Sequence, residues 1–131
     1  MRRQFGIGVI LVLTVASGHK TALAQRSFPE PSMFSEQGGE AIFKGICQDC
    51  HMPNAKGASG AGMYPALARD SKLEVAGYPI SVVVNGQKAM PAFGPMFSDQ
   101  QIADVVNYVR THFGNSYKDR VRTADVKAVR Q

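Results

Sequence analysis

Apolar and polar positions change period several times along the chain, and each change predicts an element. Phe5 to Ala16 is an apolar run. From Ser35 or Glu36 to about Ile46, Ala41, Ile42 and Ile46 recur at helical spacing and predict a first helix. Gly38, Gly39 and Gly45 lower its intrinsic propensity, which points to another backbone packed close against it. Met52 to Gly62, with Pro53, Gly57, Gly60 and Gly62, reads as a loop. Ser71 to Gly77 reads as a short helix, and Pro79 to Asn85 as another with proline at its start, although the β-branched Val82, Val83 and Val84 suit a strand equally well. The clearest pattern comes last: Ser98 is a helix cap with Gln101 completing a capping box, Ile102, Val105, Val106, Val109 and Phe113 follow at helical spacing, and Gly114 ends the run. No β-hairpin signal and no internal repeat occurs, so the pattern predicts a small all-α domain.

The apolar run changes the reading of the N-terminus. Arg2 and Arg3 precede it and Ala22-Leu23-Ala24 follows it, the layout of a secretory signal peptide over 1–24, cleaved before Gln25. The run is too short to span a membrane comfortably, so no permanent membrane span is expected. Residues 25–35, with Pro29 and Pro31, read as an extended N-terminal arm. Removing 1–24 leaves 107 of the 131 residues, enough for one domain, and takes three basic residues and no acids, so the net charge falls from +5 to +2. That balance gives no reason to expect nucleic-acid binding or a membrane-surface role.

The chain has only two cysteines, and both fall in Cys47-Gln48-Asp49-Cys50-His51. A CxxC pair followed directly by histidine is the pattern for covalent haem c: each thiol adds to a porphyrin vinyl group, and the histidine lies under the iron as proximal ligand. The other uses of a CxxC pair fit poorly. A structural zinc site needs four ligands, and only His51 and His112 remain outside the leader to join the cysteines. A dithiol oxidoreductase needs the pair at the start of a helix in a βαβ setting, and no such alternation is present. A chain this short gains much of its core from a large flat apolar cofactor, so the apoprotein is expected to fold poorly.

The glycine-bearing helix leading into CxxCH, then Tyr64-Pro65-Ala66-Leu67, Met90-Pro91-Ala92-Phe93-Gly94 and a Ser98-capped helix carrying Tyr108, resembles the monohaem class I cytochrome c family over about 36–114. The resemblance implies a small cytochrome c fold, three to five helices wrapped around one haem, with the first and last helices crossing near Gly39, Phe43 and Tyr108. It implies that the Pro65 carbonyl accepts a hydrogen bond from His51 Nδ1, and that Phe93 belongs to the cofactor-binding segment. Among Met33, Met52, Met63, Met90 and Met96, the Pro91-Ala92-Phe93-Gly94 context marks Met90 as the distal iron ligand, with Met96 next. His112 reads as a satisfied or solvent-facing residue at a helix end.

A histidine and methionine pair fills both axial positions and favours electron transfer over oxygen chemistry. The function expected is periplasmic electron transfer by one haem c, from a dehydrogenase to another cytochrome or an oxidase of the respiratory chain, rather than catalysis. The competing reading is a five-coordinate haem protein, a gas sensor or haem enzyme. Met52, Lys56, Ala92 and Phe93 form the expected rim for electron exchange, and Lys56 and Lys88 read better as solvated charges than as steering groups. The tail, 115–131, resembles the ending of cytochrome subunits that accompany periplasmic dehydrogenases, which implies a partner-docking strap. It reads equally as a surface strap with one short helix capped by Thr123.

Overall fold

A computed structural model describes residues 33–60 and 62–130. The expected leader over 1–24 and the arm up to residue 32 lie outside the described residues.

The first helix, α1, covers 39–51 and is three pieces in series: α-helical Gly39–Ile42, a π-helical turn over Phe43–Cys47, and α-helical Gln48–His51. It starts later than the apolar pattern suggests, because Gly38 turns the chain at φ 82°. It also ends later, carrying CxxCH inside its last turns. The π turn is marked by the Gln48 amide donating to the Phe43 carbonyl, one residue further back than in an α-helix. Ile42 and Phe43 are buried while Ala41, expected inside, is exposed.

The loop after His51 contains two short antiparallel strands, β1 (Ala58–Ser59) and β2 (Met63–Tyr64), paired Ala58 with Tyr64 and Ser59 with Met63. This corrects the expectation of no hairpin: two-residue strands are too short to show alternation. Ser71–Leu73 is a 3₁₀ turn rather than a helix reaching Gly77, capped by the Asp70 side chain accepting from the Lys72 amide at 3.0 Å. The second helix, α2, spans Gly77–Asn85 and takes in all three valines. Burial of Ile80 and Val84 outweighs their neighbours' β-branched preference, and Pro79 falls in the first turn, where its missing N–H costs nothing.

The third helix, α3 (Asp99–Thr111), begins with the expected Ser98–Gln101 capping box and buries Ile102, Ala103, Val105, Val106 and Val109. It stops sooner than expected. His112 is already extended, and Phe113 itself takes φ 57° before Gly114 at 83°. Phe113 still reaches the core, its ring 4.7 Å from that of Phe43.

The helices α1 and α3 cross where Gly39 meets α3. A Cβ on Gly39 would fall on the Asp104 carbonyl oxygen and the Tyr108 Cβ, so only glycine permits the approach. The Phe43 and Tyr108 rings meet across the same crossing, tilted, with centroids 5.7 Å apart. Gly45 differs: it faces the Glu36 side chain, not another backbone.

The last helix, α4, spans Thr123–Val129, with Arg122 rather than Thr123 in the cap position and Asp125 accepting from the Arg122 amide. The tail that carries it is no loose strap. Val121 and Val126 are buried in the common core, and Asn107 holds the Val121 backbone at both ends, donating to its carbonyl and accepting from its amide. Among the described residues no helix is long and apolar enough to cross a membrane.

Candidate functional site

Cys47, Cys50 and His51 share the C-terminal half of α1, which brings the motif under one local geometry. Both thiols are free; Cys47 is half-buried and Cys50 exposed. Burial, reinforced by Cys50 and the Asp49 charge, pushes the Cys47 thiol up to about 12. A dithiol oxidoreductase needs the opposite, a nucleophile held as thiolate near neutral pH. Nor do three or more His, Cys, Asp or Glu side chains gather anywhere among the described residues as a zinc site would require.

His51 is buried and its Nδ1 lies 2.9 Å from the Pro65 carbonyl oxygen. With Nδ1–H donated there, the ring is oriented and the lone pair sits on Nε2. The intervening loop is built to deliver that carbonyl. Met52 turns back at φ 66° with its amide on the Gln48 carbonyl, and Ala55, at φ 56°, accepts from the amides of both Leu67 and Ala68 at 2.8 and 2.9 Å. Gly57 donates to the His51 carbonyl at 3.0 Å; a Cβ there would overlap the Tyr64 carbonyl and the Pro65 backbone. Left-handed conformations at Met52 and Ala55, two non-glycine residues, are strain that the surrounding bonds hold in place.

Met90 stands on a separate segment. Its amide and carbonyl pair with those of Gln87, at 2.9 and 3.0 Å, after Lys88 turns the chain at φ 53°. Phe93 is half-buried, stacks on Phe97 at 5.3 Å, and donates through its amide to the Val83 carbonyl. Met96 is also half-buried, and its carbonyl accepts from the Met33 amide. His112 is satisfied, as expected: Nδ1 lies 2.9 Å from the Tyr108 carbonyl and the ring stacks on Tyr108 at 4.1 Å. At the expected rim, Lys56 and Ala92 are exposed, and Met52 and Phe93 half-buried.

Two residues that sequence reasoning missed hold the site's surroundings. Asn115 is buried and bridges three backbone groups, donating to the Leu67 and Val109 carbonyls and accepting from the Asp70 amide. Arg110 is fully buried and donates to the carbonyls of Leu73, Glu74 and Asp119 as well as to the Asp119 carboxylate. Arg110 sits at an ordinary helical position and Asn115 in the segment after Gly114, and neither place gives a signal in the sequence.

The donor set fits a haem c: two free thiols three apart, an imidazole with only Nδ1 engaged among the described residues, and large apolar side chains, Met63 and Tyr64, exposed beside Pro65. A helix carrying CxxCH, crossed by a C-terminal helix at a glycine and an aromatic pair, defines a monohaem cytochrome c, an electron-transfer protein with covalently bound haem. The chain belongs to the family described as cytochrome c oxidase, cbb3-type, subunit III, whose model matches residues 35–109. It is similar to the fructose dehydrogenase cytochrome subunit of Gluconobacter japonicus, 28% identical over 130 residues that cover 88% of this chain and 26% of that protein. The gluconate 2-dehydrogenase cytochrome c subunit of Pantoea cypripedii is 31% identical over 107 residues, 72% of this chain and 24% of that protein. Cytochrome c6 of Bumilleriopsis filiformis is 38% identical over 78 residues, 56% of this chain and 86% of that protein. The chain thus spans about a quarter of the length of the dehydrogenase subunits it matches, and most of a cytochrome c6.

Proposed function

We propose that this protein carries single electrons in the periplasm, taking them from a dehydrogenase and passing them to another cytochrome or an oxidase of the respiratory chain. Its haem is joined through Cys47 and Cys50, with His51 as proximal and Met90 as distal iron ligand, and with Pro65 and Phe93 beside it. When bound, the haem supplies a one-electron iron couple; the chain's residues orient it and limit its contact with water.

The observation that carries the reading is the His51 Nδ1 bond to the Pro65 carbonyl, 2.9 Å, in a buried ring next to two free thiols. It fixes the tautomer that a proximal ligand needs and raises its donor strength. Met90 is favoured as the distal ligand by its Pro91-Ala92-Phe93-Gly94 context, and its backbone amide and carbonyl are both paired with Gln87 on a short turn. The dehydrogenase donor is supported by relatives named as cytochrome subunits of fructose and gluconate dehydrogenases. The apolar run behind Arg2 and Arg3, read from the sequence as a secretory leader over 1–24, supports the compartment, and the outward face of the tail is the proposed docking surface.

The test compares wild-type holoprotein with Met90→Ala by absorption spectroscopy, oxidised and reduced, with carbon monoxide added to the reduced samples. The variant is expected to lose the methionine-to-iron charge-transfer band and to gain gas binding that the wild type lacks. Tight carbon monoxide binding by the wild type would instead establish the five-coordinate sensor or enzyme.

A further inference from the structure

We infer that Arg130 is a positioning residue for the Met90 segment: from the end of the tail its guanidinium fastens the chain just beyond Met90 and sets how firmly that methionine is held. The inference rests on the Met90 ligation proposed above.

Three groups within a few residues converge on this one side chain. Nε donates to the Asp99 carboxylate, one terminal nitrogen to the Gly94 carbonyl and the other to the Phe97 carbonyl at 2.7 Å. The Arg130 side chain is 25% exposed and Asp99 13%, so the ion pair is shielded enough to resist screening. A planar fork with fixed donor directions suits this task, because it can satisfy two carbonyls and a carboxylate at once without a choice of rotamer for each.

The segment it grips is the downstream mooring of Met90. The Phe93 and Gly94 amides donate to the Val83 and Val84 carbonyls at the end of α2, at 2.9 and 3.1 Å, so Gly94 is held between α2 on one side and Arg130 on the other. Upstream, the reciprocal Gln87 and Met90 pair is the other mooring. Between them Pro91 and Ala92 are exposed. Slack at Gly94 therefore passes to Met90 through Phe93 and the exposed Pro91-Ala92 span. Arg130 is itself fixed by α4, whose Val126 is fully buried in the core.

A methionine held by a looser loop spends more time off the iron, and the off state is the one open to an external ligand. The tail thus acts on the redox centre from inside the fold, independently of any docking role.

The experiment uses purified holoprotein as wild type, Arg130→Ala, Arg130→Lys, Asp99→Asn and Met90→Ala. It reads the oxidised charge-transfer band, the apparent carbon monoxide affinity of the reduced form, and stability in denaturant. Arg130→Ala is expected to weaken the band and to raise the apparent gas affinity roughly tenfold or more, since affinity scales with the fraction in the open state. Arg130→Lys, charged but without the fork, should fall between Arg130→Ala and wild type, and Asp99→Asn should shift both readouts the same way by less. A loss of stability in Arg130→Ala with band and gas affinity unchanged would overturn the inference, leaving Arg130 a merely structural residue. If Arg130→Ala yields no holoprotein, Arg130→Lys and Asp99→Asn decide, and wild-type band and gas affinity in both would overturn it. A band that survives in Met90→Ala would instead remove the ligation reading on which the inference rests.

Discussion

Arg110 shows how far one side chain can matter while staying silent in the sequence. At an ordinary helical position it is wholly buried, and it ties the Leu73–Glu74 backbone and the tail to α3. Its partner Asp119 is exposed, so Arg110→Met strands no buried charge; the cost is the orphaned carbonyls, about 3 kcal/mol in a denaturant titration of the holoprotein. The Arg110 hydrogen bond holds the Asp119 carboxyl below its ordinary range. A carboxyl depressed in the folded state stabilises above its unfolded value and loses that contribution as pH falls through the folded one. Asp119→Asn should therefore lie slightly below wild type at neutral pH, and the gap should close on acidification below the carboxylate range. What was legible from sequence was the close approach at Gly39 and the Cys47-Gln48-Asp49-Cys50-His51 spacing as a haem c motif, because size or chemistry narrows what such residues do in that pattern. Arg110, Asn115 and Arg130 were not, because an arginine or asparagine reads as solvated until the backbone it serves is known.

At the scale of elements, α3 was legible to its cap because capping and apolar period agree, and α1 was misjudged at both ends and in its face. A π turn leaves no mark on composition; here it lies between the Gly39 crossing and His51 on one helix. Likewise the 58–64 hairpin follows from the need to fold Pro65 back under His51, a tertiary demand that two-residue strands cannot announce. The capping box of α3 does more than start the helix. Gln101 turns its Oε1 to Ser98 and its Nε2 to the carbonyls of Phe34 and Glu36, both at 2.9 Å, binding the chain before α1 to the start of α3. Ser98→Ala removes the cap alone and should cost about 1 kcal/mol. Gln101→Ala keeps the bond from the backbone amide of residue 101 to Ser98 Oγ but loses the return bond to the Ser98 amide and both arm contacts, and should cost about 2–4 kcal/mol, with faster amide exchange over 33–38; a loss no larger than that of Ser98→Ala would show that the arm contacts carry no energy.

Over the whole molecule, charge is divided unevenly. The tail, 115–131, holds five basic and two acidic residues, while the chain from 25 to 114 holds seven and eight, so the positive balance outside the expected leader resides in the tail. Deleting the tail cannot test whether this charge recruits a dehydrogenase. Val121 and Val126 are buried core residues, and Arg130 grips the Met90 segment, so a truncated protein would fail for reasons unrelated to docking. Lys118, Arg120 and Lys127 separate the two roles, because all three are exposed and none makes a side-chain ion pair or hydrogen bond among the described residues. Replacing them together with glutamate should leave stability within about 0.5 kcal/mol per site and leave the charge-transfer band intact. If the tail faces an acidic partner, reduction by any dehydrogenase that reduces the wild type should slow at low ionic strength, and the wild-type loss of rate with added salt should flatten or reverse. Unchanged rates and salt dependence would confine the tail to its work inside the fold and place the docking surface elsewhere, around the exposed rim at Lys56 and Ala92.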